Sequence, residues 1–549
     1  MNCIEQIQKA FASFLKKNFD IDEQTASTTR FVINVDENKQ QFGDLNSNAA
    51  MIIAKKIDKT PREIAAQIIA DFKHPLIEKL EIAGPGFLNA TLHADAFKKI
   101  ADEFYSQGEA FFKLEHSIKK NNYSIEFVSA NPTGPLHLGH GRGGIIGDVL
   151  GNILTFMGHA VTKEYYINDA GSQMQKLGMS LKVRCLQELG QQAELPEDSY
   201  RGEYLIELAK QCVQEHGQSL LDKPELFFIE YGYKHLLTRI QNTLKTYGIH
   251  FDVWFSEKTL HTSGAIERAF EILQHHGYLY EQEGALWFKA TAFGDDKDRV
   301  VRKTDGESTY AAADIAYLLN KADRKFDKLV MVLGHDHHSY AVRLEAFRQA
   351  LQLNCSLDII LYQLVRMQAS GQLVRMSKRA GNIVTLDDVI ETVGTDVARF
   401  FYLNRKADAQ LVFDLDLALK KNEENPVYYV QYAYVRTNSI LEKAAQEKDL
   451  CQIGSADNQY LGAEESLIIK KIASLKELLE SISVNYQTHL LTYYVLELAT
   501  LFHRYYAQNR VIDLDHIEKS RARLYLVTLI NSTFKTCLTL LGISCPEKM

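Results

Sequence analysis

Hydrophobic positions keep three different rhythms along this chain. In the first part they recur every three or four residues, from Ile4 to Leu15, Asn48 to Ile57 and Pro61 to Phe72, the period of amphipathic helices. Leu80-Glu81-Ile82 and the run Gly84-Pro85-Gly86-Phe87-Leu88-Asn89 read as short strands about a turn, so this region is a small α+β domain. The rhythm changes at Ser124. Ser124-Ile125-Glu126-Phe127-Val128 predicts a strand, Asn131-Pro132-Thr133-Gly134-Pro135 breaks it, and a helical pattern runs from near His137 to about Met157.

Strand, Gly/Pro-rich turn and helix in that order open a nucleotide-binding α/β unit. Two further apolar runs, Leu329 to Leu333 and Ile359 to Tyr362, flank a helix-like segment and extend the prediction to a parallel sheet. Residues from about 180 to 290 are mostly helical in pattern, with the short run Ala285-Leu286-Trp287-Phe288, and read as an insertion between the sheet's two halves. Beyond about 420 the pattern is helical with few Gly or Pro, which predicts a separate α-helical bundle.

Composition narrows the class. At 549 residues the chain exceeds a single core, and 46% hydrophobic with 24% charged residues is the balance of a soluble globular protein. No apolar run approaches a bilayer-crossing length, and the first residues form neither a signal nor a transit peptide, so a cytosolic address is expected. Seven scattered cysteines without a C-x-x-C pair support neither a disulfide framework nor a structural zinc. A net charge of −8 argues against nucleic-acid binding only if charge is spread evenly, which a sum cannot show.

The chemistry concentrates in two segments. In Pro135-Leu136-His137-Leu138-Gly139-His140-Gly141-Arg142-Gly143-Gly144, two histidines three apart share a face at a helix start. A helix N-terminus offers free N–H groups and partial positive charge to phosphate, and imidazoles can donate to one as charge develops. Gly139, Gly141, Gly143 and Gly144 are expected to clear space for a ligand against the backbone. The second segment, Arg375-Met376-Ser377-Lys378-Arg379, lies between Gly371 and Gly381, a mobile basic loop suited to a departing pyrophosphate. Alone, either could be an ordinary glycine-rich turn or a solvated basic loop; two phosphate-directed elements on one nucleotide-binding fold are harder to dismiss.

These segments resemble the HIGH and KMSKS motifs of class I aminoacyl-tRNA synthetases, and the surrounding text resembles the arginine-specific enzymes. The strings are FVSANPTGPLHLGHGRGGIIGD, YYINDAGSQM, YRGEYLIELA, KTDGESTYAAADIAY, VLGHDHHSY, MSKRAGN, ENPVYYVQYAYVR, LATLFHRYYAQNRV and a final PEKM, in the family's order over essentially the whole chain. The resemblance implies a Rossmann-type catalytic domain over residues 111–415, an N-terminal domain over 1–110 that meets the tRNA elbow, and an all-α anticodon-binding domain over 416–549. It also implies ATP with Mg²⁺, arginine and tRNA(Arg) as reactants, a monomer, and no membrane partner. His137, His140 and Lys378 take the catalytic roles. Pro135, His137, Gly139, His140 and Gly143, with Arg375, Met376, Ser377 and Lys378, hold ATP. Arg375 and Arg379 depart from the motif's usual lysine and serine, so which side chain meets which phosphate stays open. Gly134 stands in the region where family members lacking the second lysine carry a compensating one.

A guanidinium is planar, always charged and presents forked donors, so its pocket needs carboxylates. Asp314 leads, with Tyr310 on the same face if the segment is helical. The resemblance adds Glu126, Ser129, Asn131 and His140, with Asp336 or His337 completing the pocket. His335, His337 and His338 beside Asp336 are disfavoured as a zinc site, since no further ligand cluster accompanies them. For tRNA it points to Phe87 and Asn89 in the first domain and Tyr505, Tyr506, Asn509 and Arg510 in the last. Rival readings are another class I synthetase, a non-catalytic tRNA-binding relative and a small-molecule adenylyltransferase. The cation-suited carboxylates, the retained His137, His140 and Lys378, and the long helical C-terminal region respectively count against them.

Overall fold

The computed structural model describes residues 2–114, 118–373 and 384–549. The chain divides into two compact units. One is continuous apart from a short addition, Lys119–Lys421 with Tyr486–His489; the other joins both ends of the chain, Met1–Ile118 with Asn422–Asn485 and Leu490–Met549.

The first unit is built on a five-stranded sheet of β1 (Asn122–Phe127), β2 (Ala160–Ile167), β3 (Val253–Ser256), β4 (Lys328–Gly334) and β5 (Ser356–Tyr362). Its spatial order is β5-β4-β1-β2-β3 and every pair is parallel. Tyr123 to Phe127 on β1 are buried without alternation, because helices cover both faces of a central parallel strand. The strand order reverses between β1 and β4. In such a sheet the crevice outside the strand ends at that reversal is where ligands bind. β3 departs from the sequence reading, which placed one insertion over about 180–290. The helical excursion, Ser172–Glu188, Glu203–His216 and Glu225–Thr246, ends before β3, which returns to the sheet, and residues 279–302 make a separate antiparallel sheet. Four half-buried edge residues carry too little periodicity to be seen as a strand.

Helix α1 (Leu138–Phe156) crosses from β1 to β2, and its glycines explain how closely it lies on the sheet. A Cβ at Gly147 would fall 2.3 Å from the Phe127 ring, and one at Gly143 would fall 2.6 Å from the Tyr362 ring. Gly141 meets Tyr402 and Leu386, and Gly144 meets Ile249 and Val128. Space at Gly141, Gly143 and Gly144 is therefore filled by protein, against the expectation that it would be left for a ligand. Asp148 locks the same helix: Lys163 Nζ from β2 and Arg399 Nη2 from helix Thr395–Leu403 each lie 2.6 Å from one of its carboxylate oxygens.

In the second unit, strands Val32–Ile33, Leu45–Ser47, Phe87–Leu92 and Ile77–Ala83 form an antiparallel sheet in that order, with helices Cys3–Phe19 and Pro61–Asp71 packed nearby. The bundle comprises Pro426–Ala445, Ala463–Asn485, His489–Gln508 and Ile517–Leu541. Helix Ile517–Leu541 is long and apolar enough to cross a membrane by length and composition, which the sequence reading overlooked, but 72% of its most apolar window is buried, as in a core helix. Helix Ala463–Asn485 binds the N-terminal segment by ions. Lys470 lies 3.1 Å from Asp44, Glu480 lies 2.8 Å from Arg30, and Lys476 pairs with Glu5. Glu477 accepts from Ile33 N–H at 3.1 Å and Gln8 Nε2 at 2.8 Å, and burial pushes it up to about 7.

Candidate active site

The crevice at the strand reversal begins with a backbone contortion. Directly after β1, Val128 and Ser129 take left-handed conformations with φ of 67° and 40°, and Ser129 N–H turns back onto Phe127 O at 2.9 Å. For a β-branched valine that conformation costs about 1–3 kcal/mol, which the surrounding packing must hold in place. The turn lets Ser129 Oγ donate to Glu126 Oε1 at 3.2 Å, while Ser129 Oγ itself accepts Tyr166 N–H at 3.1 Å.

His137 is the N-cap of α1. Its Nδ1 accepts Gly139 N–H at 3.1 Å, and His140 Nδ1 accepts His137 N–H at 3.2 Å. The rings stack with centroids 3.7 Å apart and planes at 21°. A ring whose Nδ1 accepts carries its proton on Nε2. The cap therefore fixes two parallel imidazoles, each a donor at its far nitrogen, at the positive end of a helix. Pro135 and Gly139 are half-buried beside them.

Arg375, Met376, Ser377 and Lys378 lie outside the described residues, but both approaches to their segment are fixed. It follows Gln372–Leu373, paired to Val365–Ala369, which in turn runs parallel to Leu411–Asp414. On the far side Leu138 N–H bonds to Val384 O at 3.1 Å and Leu386 N–H to Leu136 O at 2.9 Å. The chain leaving the basic segment is thus tied to the backbone on either side of His137. Arg142, fully buried on α1, holds the other side by donating to Gln363 O, Lys406 O and Ala409 O.

Asp314 lies on α2 (Tyr310–Asp323) and is half-buried. Tyr340 donates its hydroxyl to Asp314 Oδ1 at 2.7 Å. Burial nevertheless pushes the carboxyl up to about 7, with Glu257 and Glu126 adding to the rise, and Tyr340 and Arg343 opposing it. Glu257, just after β3, is buried; burial is also the main cause that raises its carboxyl, opposed by hydrogen bonds to His261 and Tyr166, and among the described residues its Oε2 has no hydrogen-bond partner. Neither Glu257 nor Tyr340 was foreseen, although each lies beside Asp314. A buried carboxylate oxygen without a donor has lost its hydration for nothing unless a ligand replaces it.

The remaining predicted residues divide. Tyr310 begins α2, one turn before Asp314, and is 56% exposed. Asn131 is exposed in the turn after β1. Asp336 and His337 are exposed at the end of β4 with 3.8 Å between them, and the group from their segment that reaches Asp314 is Tyr340. Glu126 has Lys321 Nζ 2.9 Å from Oε2, so its charge is already paired. Among the described residues no three His, Cys, Asp or Glu side chains gather as a metal site.

In the second unit Phe87 is exposed, whereas Asn89 is buried in the sheet. Tyr505 is a correction: only 4% exposed, it spends its hydroxyl on Glu465 at 2.7 Å. Asn509 is held by Glu464 and Arg523, and Arg510 is exposed. Tyr506 belongs to a cluster the sequence did not mark. Arg436 lies over the rings of Tyr506 and Tyr432 at 4.8 and 4.6 Å, and Tyr432 stacks on His503 and Tyr428.

A Rossmann-ordered parallel sheet with a histidine-capped helix at its switch point is the architecture of the catalytic domain of a class I aminoacyl-tRNA synthetase. The profile "tRNA synthetases class I (R), catalytic domain" matches residues 106–412, "Arginyl tRNA synthetase N terminal domain" matches 5–92 and "DALR anticodon binding domain" matches 430–549. The arginine–tRNA ligase of Citrifermentans bemidjiense is 44% identical over 517 residues, 93% of each chain, and that of Bacillus subtilis 42% over 515, 92% of each. A crystal structure titled putative arginyl-tRNA synthetase from Campylobacter jejuni superposes with a TM-score of 0.76 at 32% identity, over 82% of this chain and 99% of that one. The chain belongs to the arginyl-tRNA synthetase family.

Proposed function

We propose that this site joins arginine to tRNA(Arg) in two steps at the expense of ATP, supplied as its magnesium complex. The arginine carboxylate attacks the ATP α-phosphate and pyrophosphate leaves with magnesium. The 2′-hydroxyl of the terminal adenosine then attacks the acyl carbon of arginyl-adenylate and releases AMP. No protein nucleophile enters; catalysis is positioning and charge stabilisation.

The observation that carries this reading is the pair of under-balanced carboxylates, Asp314 and Glu257, at the same strand ends as the His137–His140 cap. Asp314 takes one edge of the guanidinium and Glu257 supplies the second acceptor. Tyr340 orients Asp314, and Ser129, Asn131, Glu126 and Tyr310 complete the pocket. His137 and His140 direct Nε2–H groups at the phosphates, with Pro135 and Gly139 shaping the cradle. Lys378, with Arg375, Met376 and Ser377, neutralises the departing pyrophosphate. On the bundle, Tyr432, Tyr506 and Arg436 form a flat cationic platform suited to unstacked anticodon bases. Phe87 is offered to the tRNA elbow. The active species is the monomer.

Arginylation of bulk tRNA, assayed against each other amino acid, tests the substrate. Charging by lysine as readily as by arginine would defeat the reading, since a compact ammonium cannot fill both acceptor positions.

A further inference from the structure

Helix α2 carries two charged groups on one face, two turns apart: Asp314 toward the crevice and Lys321 toward the sheet. Lys321 is 1% exposed, an unusual position for an ammonium. Its Nζ lies 2.9 Å from Glu126 Oε2, 3.3 Å from Glu164 Oε1 and 3.3 Å from Ser124 Oγ, over the Tyr317 ring at 4.6 Å. Glu126 and Glu164 are direct partners on adjacent parallel strands, so two carboxylates meet at one level of the sheet. Glu164 is held again by Arg324 Nη2 at 2.9 Å and by the Tyr317 hydroxyl. Burial would raise Glu164, yet Lys321, Arg324 and Tyr317 draw it down to about 2.

The carboxylates around this helix thus form two sets. Behind the pocket, Glu126 and Glu164 face two cations, Lys321 and Arg324. Toward the crevice, Asp314 and Glu257 meet the Tyr340 and Tyr166 hydroxyls, with Arg343 and His261 as the nearby cationic groups. We propose that Lys321 is a positioning and specificity-determining residue for arginine: its ammonium offsets the charge of Glu126 and Glu164, limiting how far Glu126 adds to the rise at Asp314 and leaving Asp314 and Glu257 to answer the guanidinium. This inference rests on the reading of Asp314 and Glu257 as the guanidinium anchor.

The sign of the effect is specific. Without Lys321, uncompensated negative charge stands next to Asp314 and makes its proton harder to remove. The test is the arginine KM in tRNA charging from pH 5.5 to 9 for the parent, Lys321→Met, Lys321→Arg and Glu164→Gln, each shown folded by its melting curve. In Lys321→Met the midpoint of the KM profile moves up by about one pH unit or more, a tenfold loss for each unit at pH values below both midpoints, while the plateau KM at high pH does not weaken. Lys321→Arg keeps the parent midpoint. Glu164→Gln, which removes one carboxylate and leaves Lys321 to Glu126, moves it down.

A residue that merely supports the fold would raise KM at every pH without moving the midpoint, and that result in Lys321→Met overturns the proposal. If Lys321→Met does not fold, an unmoved midpoint in Glu164→Gln overturns it instead. A parent that charges arginine but is indifferent to Asp314→Asn defeats the underlying pocket reading; normal sensitivity at Asp314 with unmoved midpoints in the other variants defeats this inference alone.

Discussion

Asp148 and Asp314 are two acids on one scaffold, set in helices that pack on the same sheet, and their surroundings pull them in opposite directions. Asp148 is almost wholly buried, yet Arg399 and Lys163 outweigh the burial and hold it below the usual carboxylate range. Asp314 is more open, but its direct partner is a tyrosine hydroxyl and it rises to about 7. The first has its counter-charges in the fold and fastens α1 to β2 and to helix Thr395–Leu403. The second has Arg343 nearby, but that cation and the Tyr340 hydroxyl do not offset burial with Glu257 and Glu126 beside it. Burial alone does not mark a functional acid; burial without enough counter-charge does.

The largest expected effect tests the open acid. Asp314→Asn removes the charge and turns one acceptor toward the substrate into a donor, which should cost about 3–5 kcal/mol, or roughly 10² to 10⁴ in kcat/KM for arginine, with tRNA affinity unchanged. An activity within a few-fold of the parent would make Asp314 an ordinary acid and dissolve the contrast. Asp148→Asn should do the reverse. Buried Arg399 and half-buried Lys163 lose their anion, so stability in urea drops by about 3 kcal/mol while the arginine KM of the folded enzyme holds.

Acidity sharpens the contrast further. A guanidinium needs ionised Asp314, so arginine KM should be flat above pH about 7 and rise about tenfold per unit below it. Stability separates the two acids by sign. Asp314 is raised on folding, so its contribution is full below the usual carboxyl range and is lost as pH climbs toward about 7. Asp148 is lowered, so its contribution is full above that range and is lost as pH falls through its folded value. Melting curves of each variant against pH should each flatten a different flank of the parent's profile. The smallest effect carries the same distinction to the helical bundle. Tyr505→Phe breaks an internal bond to Glu465 and should cost about 1 kcal/mol of stability without altering tRNA KM. A rise in tRNA KM would return Tyr505 to the binding surface.

What the sequence disclosed follows from what is local. The strand before Val128, the helix beginning at His137 and the sharing of one helix by Tyr310 and Asp314 are matters of period and capping, readable over a few residues. Glu257 and Tyr340 escaped because the tertiary fold alone brings them to Asp314, from 57 residues before it and 26 after it. The glycines of α1 were visible as glycines, but whether a missing Cβ faces a ligand or a phenylalanine depends on the partner surface. Tyr505 and Tyr506 are neighbours of equal character in the sequence. Helical rotation buries the first and sets the second beneath Arg436.

The ionic seam between the first hundred residues and helix Ala463–Asn485 bears on the birth of the molecule. A ribosome releases Glu5, Arg30 and Asp44 more than four hundred residues before it releases Lys476, Glu480 and Lys470. During that interval the N-terminal segment lacks these counter-charges, while the main stretch of the catalytic unit, Lys119–Lys421, is made in between. Closure of the seam thus reports that translation has reached the last third of the message. A nascent chain interrupted in the catalytic region holds a head segment that cannot acquire its partners, a form open to proteases and chaperones before it can interfere with the finished enzyme.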